Sequence, residues 1–260
     1  MPHAAAAFRV AAAWIGAALV LAAVAPARAG PEDTIVRVKP AVVLVGTLLK
    51  TRNPPFSFRG TGFAVGDGRL IATNLHVLAA PVDAGAGEVF VIGVPGAAGR
   101  AELREAKLAS QDPSRDLALL RIEGAPLPAL ALSDREAREG EMLLFTGFPV
   151  GSVLGPIPST HRAMVASMPP IALPNVRAAQ LTGAQIRRLA EGPFPIYQLD
   201  ATAFPGNSGS PLYDAETGAV LGVINMVFVR RSREGALPQP TGITYAIPAV
   251  HLRALLEAAK

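Results

Sequence analysis

From residue 30 onward, short apolar runs alternate with turn signals. In the first half these are AVVLVGTLL (41–49), GTGFAVGDG (60–68), RLIATNLHVL (69–78), EVFVIGV (88–94), AELREAKLAS (101–110) and LALLRI (117–122). In the second half they are EMLLFTGFP (141–149), HRAMVASM (161–168), IYQLDA (196–201), SPLYDA (210–215), AVLGVINMVFV (219–229) and GITYAIP (242–248). Most are rich in Val, Ile and Leu and are bounded by Gly, Pro or Asp, the pattern of strands in an all-β sandwich or barrel. GDG at 66–68 and DAETG at 214–218 read as hairpin connections. A polar break at DREAREGE (134–141) divides the runs into two groups of six, which predicts two β lobes packed together. Helical spacing occurs in two places. TGAQIRRLAE (182–191) reads as a short helix behind a Thr cap, and Val250, Leu252, Leu255 and Leu256 form an apolar stripe after Pro248.

Residues 1–29 follow a different pattern. Arg9 precedes the apolar run VAAAWIGAALVLAAVA, and small residues at Ala27 and Ala29 close it. That order predicts a signal peptide cleaved after Ala29, with an uncleaved anchor as the other reading, and either places the rest of the chain outside the cytoplasm. Cleavage lowers the formal net charge from +4 to +2, because it removes Arg9 and Arg28 and no acidic residue. The remaining small basic excess does not make a nucleic-acid surface, and the dense patch RRSR (230–233) reads as a solvated loop. The chain has no cysteine, which excludes disulfides, thiol catalysis and cysteine-ligated zinc. Neither metal-ligand spacing nor a phosphate loop is visible, so no metal or cofactor is expected.

The candidate chemistry centres on GNSGSP (206–211), which taken alone is either turn chemistry or a nucleophile loop around Ser208. A serine nucleophile needs a base and a group that orients the base. Beyond residue 29 the histidines are His76, His161 and His251. His161 and His251 are expected at the surface or at an edge. His76 closes the apolar run LIATNLHVL, where a rigid strand can aim it. Asp116 directly precedes the apolar LALLRI, so its carboxylate is half withdrawn from water, whereas Asp112 reads as a solvated carboxylate. The order His, Asp, Ser is a known triad order that divides the site between two lobes.

These segments resemble the HtrA/Deg family of trypsin-like serine proteases. GTGFAVGDGRLIATNLHVL is similar to that family's His segment, RDLALLRI to its Asp segment and LDATAFPGNSGSPLYD to its Ser segment. VKPAVV (38–43), GFPVG (147–151) and GITYAIP (242–248) occur in the matching order, so the resemblance runs from about residue 34 to 256. It implies two six-stranded antiparallel β-barrels of the trypsin/chymotrypsin type with a C-terminal helix. The barrels are expected at about 34–136 and 140–248, and the helix at 249–259. It further implies Ser208 as nucleophile, His76 as base and then acid, and Asp116 as orienter. The backbone N–H groups of Gly206 and Ser208 would form the oxyanion hole.

The same resemblance assigns the substrate pocket to Thr202, Ala203, Asn225, Met226, Val227 and Thr244. None is charged, and Asp200 comes too early to serve a basic side chain, so the expectation is a small or medium aliphatic residue before the scissile bond. Ser210 stands where HtrA proteins usually carry a second Gly, although glutamyl endopeptidases of the same fold also read GNSGSP. Those enzymes use a histidine near the pocket, and INMVF (224–228) has none. Only 12 residues follow Pro248, which leaves no room for the PDZ domain usual in the family. The expected activity is that of an exported serine endopeptidase, periplasmic or secreted, acting on proteins or peptides in envelope quality control or processing. It would bind no nucleic acid and insert in no membrane once the signal is cleaved, and the sequence does not indicate an oligomeric state. Two rivals are a binding module that keeps the fold with a latent site, and an α/β-hydrolase using Ser208, Asp214 and His251. The second lacks both the G-x-S-x-G elbow and alternating strands and helices.

Overall fold

The computed structural model describes residues 30–79, 82–96, 99–149, 155–170, 193–225 and 242–259. The presumed signal, the helix expected at 182–191, the RRSR patch, Met226 and Val227 lie outside them. The chain enters through helix α1 (Pro31–Val38), which the apolar pattern did not disclose. Its signals are Pro31 in the first turn, Glu32 and Asp33 beside it, and Arg37 in the last turn.

Six strands follow: β1 (Val42–Leu48), β2 (Phe56–Val65), β3 (Leu70–Asn74), β4 (Val89–Pro95), β5 (Ala101–Asp112) and β6 (Leu117–Ile122). They close antiparallel in the order β1-β2-β3-β6-β5-β4. The second six are β7 (Met142–Gly147), β8 (Ser159–Ser167), β9 (Tyr197–Asp200), β10 (Pro211–Asp214), β11 (Val220–Asn225) and β12 (Ile243–Pro248). These close as β10-β11-β12-β9-β8-β7, and helix α2 (Ala249–Ala258) ends the fold. The architecture is the expected pair of six-stranded antiparallel barrels with a terminal helix. Both expected hairpin turns are present, GDG between β2 and β3 and DAETG between β10 and β11. An antiparallel double barrel removes the α/β-hydrolase reading, which requires a parallel sheet.

Burial explains why so many strands read as unbroken apolar runs. A strand in a barrel wall sends alternate side chains inward and outward, so one buried face produces alternation. Here Val43, Val45, Ile71, Ala118 and Leu120 fill the first barrel. Their neighbours Val42, Leu44, Leu70, Ala72, Leu117 and Leu119 point the other way and are buried too. They meet Leu144, Phe148, Tyr213, Val223 and Ile247 of the second barrel in one shared cluster. A strand buried on both faces has no polar positions to alternate with. Strand β5 is the converse: most of its residues are exposed or half-exposed.

The terminal helices cross between lobes. Thr34 Oγ1 on α1 donates to the Glu216 carbonyl at 2.9 Å, which ties the helix to the β10–β11 hairpin. Helix α2 buries Leu252 and Leu255 in the shared cluster, with Leu256 against Gly66 of the first barrel.

Candidate active site

The first barrel supplies an imidazole and a carboxylate. After β3 the chain makes a single 3-10 turn, Leu75–Val77, which carries His76 out of the barrel wall. Asp116 sits just before β6 and is the one described non-glycine residue with a positive φ, +56°. Asp tolerates that conformation better than most residues, because its short side chain bonds nearby backbone. The surroundings hold it there. Its carbonyl accepts from Leu75 N–H at 3.1 Å and from Asn74 Nδ2 at 3.2 Å.

The Asp116 carboxylate is similarly enclosed. Oδ1 accepts from the His76 backbone N–H at 2.8 Å, and Oδ2 lies 2.6 Å from His76 Nδ1. Asn225 Nδ2, at the end of β11, donates to the same Oδ2 at 2.7 Å. An ionised carboxylate only accepts, so Nδ1 must carry the ring proton, and a neutral imidazole then presents its lone pair at Nε2. That atom is 2.9 Å from Ser208 Oγ. Ser208 is itself almost covered, at 6% exposure, so water competes little for the contact.

The loop bearing Ser208 hangs between the lobes. Asn207 N–H donates to the Phe204 carbonyl at 3.0 Å, closing a four-residue turn with Gly206 in third position at φ +103°. A positive φ there is the signature of a type II turn and favours glycine. A Cβ at Gly206 would also lie 2.3 Å from the Phe148 carbonyl. The N–H groups of Asn207, Gly209 and Ser210 all donate to backbone carbonyls. Those of Gly206 and Ser208 donate to no described residue.

Thr61 on β2 fastens this loop, and the sequence reading did not single it out. Its N–H donates to the Ser208 carbonyl at 2.9 Å and its Oγ1 to the Gly206 carbonyl at 2.7 Å. The same hydroxyl accepts from Phe148 N–H at 3.1 Å. The one available hint was a hydroxyl residue between two glycines in GTGF. Gly209 is pressed against it: at φ +87°, a Cβ would stand 2.0 Å from the Thr61 carbonyl.

The expected pocket residues fall into two groups. Ala203 and Thr244 are buried together, with Thr244 Oγ1 donating to the Ala201 carbonyl at 2.7 Å and accepting from Ala203 N–H at 3.1 Å. Thr202 is half-buried beside them. Asn225 was expected to face substrate, yet its side-chain amide is turned to Asp116. Asp200 is exposed at the end of β9.

Three other expectations need correction. Asp112 is not a solvated carboxylate. Its Oδ1 accepts from Ser114 and Arg115 N–H at 2.9 and 3.1 Å, and its Oδ2 pairs with Arg115 at 3.0 Å, building the loop that leads to Asp116. His161 is half-buried and stacked on Phe145 at 4.8 Å, and burial pushes its pKa down. His251 sits edge-on to Phe194 at 4.9 Å, and burial first, then the Arg115 charge, push it down to about 4. Among the described residues no group of His, Asp and Glu is placed to hold a metal ion.

Comparison with known proteins agrees with the fold. The family model for the trypsin-like peptidase domain matches residues 60–223, and the chain belongs to that family. Its relatives include proteins named "Probable periplasmic serine endoprotease DegP-like". The one from Hahella chejuensis is 34% identical over 190 residues, and that from Pseudomonas fulva is 32% identical over 190. Each alignment covers 73% of this chain, while the chain spans about a third of the length of the relatives (33% and 32%). Among solved structures, the active form of the Rv3671c protease from M. tuberculosis superposes with a TM-score of 0.63 at 22% identity, covering 86% of this chain and 82% of that one. A serine endoprotease from Yersinia pestis gives 0.61 at 22% identity, covering 89% and 66%. These chains share the double-barrel fold. The relatives are thus of the DegP type that the sequence motifs suggested.

Proposed function

We propose that this chain is a serine endopeptidase that cleaves polypeptides through Ser208, His76 and Asp116. The observation that carries the proposal is the unbroken path Asp116 Oδ2, His76 Nδ1, His76 Nε2, Ser208 Oγ, with steps of 2.6 and 2.9 Å across two lobes. His76 takes the hydroxyl proton as Oγ attacks the substrate carbonyl carbon, and the resulting imidazolium is stabilised by the Asp116 carboxylate. Negative charge develops on the carbonyl oxygen. Among the described residues the N–H groups of Gly206 and Ser208 have no acceptor, which supports their serving as the donors to that oxygen. His76 then passes its proton to the departing amine, leaving an acyl-enzyme on Ser208. Water, deprotonated by the same imidazole, hydrolyses that ester and frees the serine.

The uncharged lining at Thr202, Ala203 and Thr244 supports a small or medium aliphatic residue on the acyl side. Dominant cleavage after Arg or Glu in a peptide-library profile would contradict this. The relatives' names place those proteins in the periplasm, and the leader-like residues 1–29 support export of this chain, with proteins or peptides of the envelope as substrates. Trp14 is the only tryptophan. Protein recovered from the cell envelope should therefore begin at Gly30 and show no tryptophan fluorescence. The central test is covalent labelling by a fluorophosphonate probe. The wild-type protein should label at Ser208 and Ser208→Ala should not; a wild-type protein that never labels, with or without candidate substrates, points to the binding-module alternative.

A further inference from the structure

An apolar groove of about 370 Å³ opens beside the nucleophile loop, lined among others by Leu44, Phe56, Phe58, Ala101, Leu103 and Pro156. Among the described residues that line it, none is charged. We propose that it is a subsite for an apolar side chain on the leaving-group side of the substrate, within the first three residues after the scissile bond. The proposal rests on the endopeptidase reading and specifies what that site accepts.

Position argues for this occupant. Phe58 lies on both surfaces: it lines the groove, and its ring would be 2.9 Å from a Cβ on Gly206, the outer residue of the oxyanion loop. Two residues further along β2, a Cβ on Gly60 would be 3.0 Å from the Ser208 carbonyl. The groove therefore starts where the nucleophile loop meets the first barrel. The candidate acyl-side residues Thr202, Ala203 and Thr244 belong to the second barrel. A polypeptide whose acyl portion occupies that pocket runs past Ser208 towards the first barrel. It advances about 3.3 Å per extended residue, so only a few residues separate the two places.

The groove is also built to persist. Phe56 lies over Gly46 of the adjacent strand, where a Cβ would meet its ring at 2.7 Å. Arg52 anchors the turn that leads into Phe56. Its Nη1 donates to Glu88 Oε1 at 2.8 Å, and its Nη2 to the carbonyls of Thr47 and Pro55 at 3.1 and 3.0 Å. Leu103 is 38% exposed on the wall, a large aliphatic side chain left accessible beside two aromatic ones. On that strand the flanking charges Glu102 and Arg104 neutralise each other at 2.8 Å, so neither sign of ligand charge is favoured.

The test uses quenched fluorogenic peptides with one fixed acyl-side sequence. Leu, Phe, Ser or Asp is placed in turn at each of the first three leaving-side positions, and an ester of the same acyl sequence has no leaving-side residue. At one position the wild-type protein should prefer Leu or Phe over Ser by about tenfold or more in kcat/KM, the scale of burying one apolar side chain. Leu103→Asp and Phe56→Ser should each bring that ratio to within about threefold of unity. A ratio taken within one protein does not depend on how much of it is folded. Ester hydrolysis together with a flat wild-type leaving-side profile overturns the groove alone, as does a preference that survives both substitutions. Failure to hydrolyse ester and peptides, with Ser208 unlabelled, overturns the endopeptidase reading itself.

Discussion

Thr61 joins the two lobes with one side chain and one amide, and its removal can be read in activity and in stability. Thr61→Val keeps the shape and deletes the hydroxyl, leaving the buried Phe148 N–H and the partly buried Gly206 carbonyl without that partner. Each orphaned group costs about 1–3 kcal/mol. We expect a lower midpoint in thermal unfolding and a reduced labelling rate at Ser208, with Thr61→Ser restoring both. Gly209 is a harsher case. Gly209→Ala places a methyl 2.0 Å from the Thr61 carbonyl, at a φ that alanine disfavours. Probe labelling should be lost even in whatever fraction remains folded, measured on protein recovered by size exclusion. Thr61 escaped the sequence reading because nothing in GTGF reveals which loop, far along the chain, the strand will face.

Strand ends carry the candidate site, and β11 shows how one element can serve it from behind. It delivers Asn225 to the far side of Asp116, where the amide donates at 2.7 Å to the oxygen that also holds His76. Hydrogen bonds to an ionised group contribute about 1.5–3 kcal/mol. Asn225→Ala should therefore lower kcat by about 10–100-fold through the imidazole's orientation, with a smaller change in KM on an ester substrate. An unchanged kcat would remove Asn225 from this positioning role. His76, Asp116 and Ser208 could be singled out in the sequence because each lies in a motif next to its own strand. The amide's partner could not, since 109 residues separate Asn225 from Asp116. Helix α1 was missed for a different reason: half of its eight residues are polar or charged, so it leaves no apolar run to notice.

For the whole molecule, the terminal helix and the Asp116 loop are joined by the stack His251, Phe194 and Arg115, with ring centroids 4.9 Å apart and the Arg115 guanidinium 5.6 Å over Phe194. Native His251 is held at about 4, below its ordinary 6.5, so the unfolded chain binds a proton more readily. This contribution to stability is complete above pH 6.5 and is lost as pH falls towards 4. Arg115 and Asp112 face the ring, the first opposing protonation and the second favouring it. Urea unfolding of His251→Asn should lose less stability between pH 7 and 5 than wild type does, and equal losses would contradict this. The lobe interface gives a second global prediction. Leu119 is fully buried there, so Leu119→Ala should cost about 2–5 kcal/mol in denaturant unfolding.

By itself the sequence determined the strand count of each lobe and the hairpins at GDG and DAETG, and it singled out His76, Asp116 and Ser208 as the candidates that the proposed function uses. Local pattern and turn chemistry are properties of neighbouring residues, so they survive being read in one dimension. Only the tertiary structure decided that both strand faces are buried, that Thr61 holds the Ser208 loop and Asn225 the Asp116 carboxylate, and that His161 and His251 are partly withdrawn from water. All of these depend on which barrel wall meets which, a relation between residues tens to more than a hundred positions apart that no local pattern encodes.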